Sequence, residues 1–97
     1  MSLQFEWDDT KAAANLKKHG VGFAEALTVF ADPLARVFDD PDQSEDEPRE
    51  IILGFSAKLR LLVVGFTERS GSVRLIHARR ATKAERKRHE ENTKPRS

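Results

Sequence analysis

The sequence has 97 residues, with no cysteine, no tyrosine and a single tryptophan, Trp7. Without cysteine there is no disulfide, no thiol nucleophile and no zinc site built on thiolates. That composition fits a reducing cytoplasm, the expected location. With no tyrosine and one tryptophan, the aromatic platforms that stack on splayed RNA bases are scarce. Trp7 therefore reads as a core or interface anchor. The longest apolar run, Leu61 to Val64, is far too short to cross a membrane. The stretch from Met1 to Asp9 carries acids and no apolar run, so no signal peptide is expected there. No Asp or Glu stands at ligand spacing from a histidine, so no metal or other cofactor is expected and two-metal chemistry is disfavoured.

What is present describes one small domain, expected over residues 1–92, followed by a disordered tail at 93–97. Hydrophobic residues make up 38% and charged residues 34%, which suits a packed core better than a disordered chain. The net charge of +1 hides an asymmetry. From Asp32 to Glu50 acids outnumber Arg36 and Arg49, whereas from Arg74 onward bases dominate. A basic end of this kind suits a polyanionic partner.

Phe5-Glu6-Trp7 alternates and suggests a short strand or extended segment. Asp8, Asp9 and Thr10 offer N-cap chemistry to a helix over Lys11–His19, with Ala12, Ala13 and Leu16 as its apolar stripe and Gly20 closing it. Phe23, Ala26, Leu27 and Phe30 fall on one face of a second helix, which Asp32-Pro33 ends. Leu34–Phe38 reads as a strand, and the acidic, proline-bearing segment from Asp39 to Pro48 as an exposed loop. Glu50–Phe55, Leu59–Phe66 and Ser72–Ala78 are strands on short turns, hence antiparallel neighbours, with Leu61–Val64 central. Thr82-Lys83-Ala84-Glu85 is a capping box opening a basic helix from Lys83 to about Asn92. The expected fold class is α+β: two N-terminal helices, an antiparallel sheet of about four strands, and a C-terminal helix.

Taken jointly, several blocks resemble the BrnT family of toxins. They are Phe5-Glu6-Trp7-Asp8, Lys11 with Asn15, and Lys18-His19-Gly20-Val21 with Phe23, Glu25 and Ala26. Asp32-Pro33, Arg49 with Gly54, and Leu61 to Val64 follow. The last block runs from Arg74 to Thr82, with Glu85-Arg86 and Glu90. The resemblance implies a RelE-like toxin fold and metal-independent endoribonuclease activity that inhibits translation and growth. It also implies a cognate ribbon-helix-helix antitoxin, an assembly of two toxins with two antitoxins, and operator DNA bound only through the antitoxin. The family usually has Ser where this chain has His77 and Tyr where it has His89. The alternative is a non-catalytic module of the same fold that binds nucleic acid or protein.

RNA carries its own nucleophile, the 2′-hydroxyl, so an enzyme need only orient the phosphate, stabilise its charge and move protons. The catalytic candidates are Arg79, His77, Arg74 and His89. On a regular strand Arg79 shares a face with His77 and Leu75, and Arg80 shares the other with Arg74 and Ile76. Arg79 beside His77 suits a phosphate clamp. The duller alternative for Arg74 and Arg80 is ion pairing with the acidic loop. His77 is either a proton-transfer group or a half-buried histidine bonded to the backbone. Lys18, His19, Arg80, Lys83 and Arg86 are the expected RNA-binding residues. A cation such as His19 at a helix C-terminus is also favoured by the helix dipole alone.

Overall fold

A computed structural model describes residues 4–40 and 48–93. The order is β1 (Gln4–Glu6), α1 (Asp9–His19), α2 (Phe23–Ala26) continuing into a 3-10 turn (Leu27–Ala31), β2 (Arg36–Asp39), β3 (Glu50–Phe55), β4 (Leu61–Arg69), β5 (Ser72–Arg80) and α3 (Lys83–Thr93). The strands form one sheet in the order β1-β5-β4-β3-β2. Most of the acidic loop and the tail beyond Thr93 lie outside the described residues.

The α+β class holds, with two differences from the expected arrangement. The sheet is mixed and five-stranded, because β1 pairs in parallel with β5 through Gln4–Ser72 and Glu6–Arg74. Local pattern cannot reveal such a pairing, since it joins residues nearly seventy positions apart. The second helix is also short. Its fully buried residues, Phe23, Ala26 and Val29, recur every third position, which is the period of the 3-10 turn that follows. Leu27 and Phe30, expected on the buried stripe of a longer α-helix, are only partly buried. Thr28 contributes to the tightening: its hydroxyl donates to the Glu25 carbonyl at 2.6 Å and accepts from the Ala57 amide at 2.8 Å.

Helix α1 begins where Asp8 accepts the Lys11 amide at 3.0 Å and ends at Gly20, whose φ of 70° is left-handed. The expected stripe is corrected here too. Leu16 is 54% exposed, whereas the polar Asn15 is buried. The reason lies in β5, whose edge is covered by β1 only over Ser72–Arg74. Beyond that point the Asn15 side chain stands in for a strand. Its carboxamide accepts the Ala78 amide at 3.0 Å and donates to the Ala78 and Val21 carbonyls at 2.8 and 2.9 Å.

Strand β4 is central, and Leu61 to Thr67 are all buried. One face of the sheet presents Ile52, Leu62, Val64, Phe66, Val73, Leu75 and Ala78 to Val21, Phe23, Ala26 and Val29. Each fully buried Leu or Val contributes roughly 1.5–3 kcal/mol. Trp7 joins this core edge-on to Phe23, with ring centroids 6.0 Å apart. The opposite face carries a smaller apolar cluster of Leu53, Leu61 and Val63, flanked by Ile51, Phe55 and Ala81. Helix α3 lies against one end of that second face, where His89 packs on Phe55, and among the described residues the other end is open.

Candidate functional site

The open face is assembled by an irregularity in β5. Phe66 pairs with Leu75 and its neighbour Gly65 with His77, so Ile76 is an extra residue on β5. Such a bulge reverses the alternation beyond it. Leu75 therefore packs in the main core, while His77 and Arg79 pair with Gly65 and Val63 on the opposite face. The same shift puts Arg74, which pairs with Thr67, on the His77 side, and Arg80, which pairs with Leu62, on the other. The face-sharing expected from a regular strand thus holds for His77 with Arg79 and is corrected for Leu75, Arg74 and Arg80.

His77 sits at the middle of this face, directly over Gly65. A Cβ at Gly65 would fall 2.3 Å from His77 Nε2, so only glycine admits the ring. Burial pushes the His77 pKa below its ordinary value. Asp40 opposes that shift, and the positive charges of Arg79, Arg49 and His19 reinforce it. The imidazole is therefore neutral near pH 7, with a lone pair free to accept a proton.

Around it stand several guanidinium groups. Arg79 donates to both carboxylate oxygens of Glu85, at 2.8 and 2.9 Å. That fork, with the Thr82 backbone amide, holds the Glu85 pKa down at about 2 against the opposing effect of burial. Glu85 also completes the capping box expected from the sequence, accepting the Thr82 amide at 2.8 Å while its own amide donates to the Thr82 hydroxyl at 3.1 Å. Arg79 consequently ties α3 to the sheet. Arg74 lies 3.5 Å from Glu6 of β1; most of the acidic loop, the other partner considered for it, lies outside the described residues. Arg49 immediately precedes β3 and continues the side of Ile51 and Leu53.

The remaining candidates are dispersed. Lys18 and His19 are exposed at the end of α1, and the charge of His19 reaches His77. Lys83 and Arg86 are exposed on α3, and Arg80 is exposed beyond the main core. His89 is 2% exposed and packs edge-on against Phe55, with ring centroids 5.9 Å apart. It lies on the inner face of α3, turned toward the sheet.

Residues 7–85 match the family described as ribonuclease toxin, BrnT, of type II toxin–antitoxin systems. The chain belongs to the BrnT family. It is similar to the crystal structure of the Brucella abortus ribonuclease toxin BrnT, with a TM-score of 0.65 and 25% identity over 84% of this chain and 100% of that one. Curated proteins yield no match. BrnT membership makes the chain a ribonuclease toxin with an antitoxin partner and an RNA substrate. No helix among the described residues is long and apolar enough to cross a membrane.

Arg49 and Gly65 were not singled out as site residues from the sequence. Gly65 did carry a signal, since an isolated glycine within an apolar strand marks a bulge or a close approach. Arg49 carried none beyond its place in the BrnT resemblance, because its position depends on how β2, β3 and β5 align.

Proposed function

We propose that this toxin is a metal-independent endoribonuclease in which His77 moves the proton and arginines of the open face stabilise the phosphate. The observation that carries the reading is a neutral, half-buried histidine centred among guanidinium groups on one sheet face. In the proposed step the 2′-oxygen attacks phosphorus as its proton passes to His77. The bond to the 5′-oxygen breaks, that oxygen takes a proton from solvent, and a 2′,3′-cyclic phosphate remains. Arg79 and Arg74 supply charge to the phosphate, while Lys18, His19, Arg80, Lys83 and Arg86 contact the flanking backbone. His89, buried on the inner face of α3, has no role in this scheme.

The reading extends to the partner. A ribbon-helix-helix antitoxin covers the basic face, two toxins assemble with two antitoxins, and operator DNA is reached only through the antitoxin. Free toxin cuts messenger RNA in the cytoplasm and so arrests translation and growth.

The test is cleavage of single-stranded RNA by the purified chain in EDTA, with end-group analysis. Cyclic or 3′-phosphate ends are expected. Intact RNA in the presence of folded protein would leave a binding module, the alternative favoured by the engagement of Arg79 with Glu85. Arg79→Ala is expected to lower cleavage by about tenfold or more. Because that variant also releases α3, Glu85→Gln is the companion: it loosens the helix but keeps the guanidinium. Equal loss in both would assign Arg79 to the helix alone.

A further inference from the structure

The open face contains a guanidinium that this scheme leaves unused. The backbone around Arg49 is held from two directions. The Asp40 amide donates to the Arg49 carbonyl at 3.0 Å, and the buried Thr67 hydroxyl donates to the Pro48 carbonyl at 2.7 Å. The side chain is half-buried, and its Nε is shielded from solvent with no acceptor among the described residues. A shielded donor of a charged group is costly to leave unmatched, and natural structures seldom do so without a ligand or water.

We propose that Arg49, together with the His77 imidazole seated over Gly65, forms the subsite that holds the scissile phosphate of the RNA. This rests on the ribonuclease reading and names the residues that deliver it. Three features single out Arg49 among the arginines of the face. The fork of Arg79 is already engaged by both oxygens of Glu85. Arg74 leans to the β1 edge, toward Glu6. Arg49 lies within electrostatic range of His77 and keeps an unmatched N–H. A planar fork with a free N–H suits two phosphate oxygens, and a neighbouring imidazole then lies beside the attacked phosphorus.

Gly65 is the positioning residue of this subsite. Any side chain there would meet Nε2, Cδ2 and Cε1 of His77 at 2.3 to 2.8 Å, so the ring must move off the face. Among the described residues, the charged and titratable groups that act on His77 are Asp40 just after β2, Arg49 before β3, Arg79 on β5 and His19 on α1. Asp40 is the acid among them and favours the imidazolium that forms once the proton is taken up.

The experiment follows the His77 ring resonances of the full chain during titration with a short RNA made uncleavable by 2′-O-methyl groups, and with inorganic phosphate. Cleavage of unmodified RNA is measured in parallel. Wild type should show saturable shifts at His77 with both probes. Arg49→Ala should weaken oligonucleotide binding by about tenfold or more, the loss expected for a charge-assisted contact. Arg49→Lys, which keeps the charge but not the fork, should fall between the two. Gly65→Ala should lower kcat more than it raises KM and should displace the acid limb of the pH–rate profile, because the ring leaves its seat. A merely structural glycine would lower stability without moving that limb. Thermal unfolding identifies variants that have not folded, and Arg49→Lys then carries the test in place of Arg49→Ala. Unchanged binding and cleavage in folded Arg49 variants would overturn the subsite while leaving the ribonuclease reading intact. Arg49-dependent shifts at His77 without cleavage by wild type would support the subsite and sink the ribonuclease reading.

Discussion

Asn15 shows how much one side chain carries in a domain this small. Its carboxamide serves the amide and carbonyl of Ala78 and the carbonyl of Val21, all inside the protein. Replacing it leaves buried polar groups without partners, at about 1–3 kcal/mol for each group stranded. Asn15→Ala and Asn15→Leu should therefore both lower the urea midpoint substantially, the second despite its larger apolar surface. A neutral or stabilising Asn15→Leu would show that water reaches Ala78. His77 gives the second prediction at this scale. Its pKa in the folded chain lies below the unfolded value of 6.5, because burial disfavours the imidazolium. The stability tied to the neutral ring is complete above that value and is lost as pH falls through the folded pKa. If His77 is the base, the acid limb of kcat/KM also lies below pH 6.5 and disappears in His77→Ala.

Two carboxylates govern how elements attach to one another. Glu25 of α2 is buried and accepts Arg60 Nε at 2.9 Å and the Ser56 hydroxyl at 2.7 Å, while Arg60 also donates to the Gly20 carbonyl at 3.1 Å. These bonds bind the β3–β4 turn to the junction of α1 and α2. The Arg60 guanidinium and the Ser56 hydroxyl hold the Glu25 pKa at about 2 against an ordinary 4.5, and burial opposes them. Glu85 does the same for α3, also with a pKa of about 2. Both pKa values are depressed, so the stability these groups supply is full above pH 4.5 and is lost as pH falls toward 2. Acid titration should therefore lower stability over that window, and Glu25→Gln should flatten its response. Arg79 and Glu85 are each about a third exposed, so their pair itself contributes no more than about 1 kcal/mol. Thr82→Ala should cost about 1 kcal/mol through the lost cap. Hydrogen exchange should show that loss confined to α3, with β3, β4 and β5 still protected. Equal loosening of the sheet would mean that α3 is integral to the core.

For the whole molecule, function follows from one sheet having two unlike faces. The helices α1 and α2 seal one, and α3 covers part of the other. The uncovered part brings together residues from β2, β3 and β5, with exposed bases on α1 and α3 around it. RNA bound across such a surface releases counterions, so affinity should fall steeply as salt rises. An antitoxin on the same surface should compete with RNA. Simultaneous binding of the 2′-O-methyl oligonucleotide and the antitoxin would place the antitoxin elsewhere.

Much of this was legible in order along the chain, because short-range physics suffices for it. The Asp8 cap, the Gly20 stop, the Thr82–Glu85 box, the strand Glu50–Phe55 and the central position of Leu61–Val64 each depend on neighbours within a few residues or on a local apolar run. The BrnT resemblance also lay in the sequence, as a joint spacing of otherwise unremarkable blocks. What only the tertiary structure decided are the features that depend on distant partners. The parallel pairing of β1 with β5 is one, and the burial of Asn15 in place of Leu16 is another. The site itself depends most on such partners. Pairing with Phe66 and Gly65 makes Ile76 an extra residue and reverses which side chains of β5 share a face. A period of two read along one strand has no access to the register of the next, and that register decides whether Arg49, His77 and Arg79 meet.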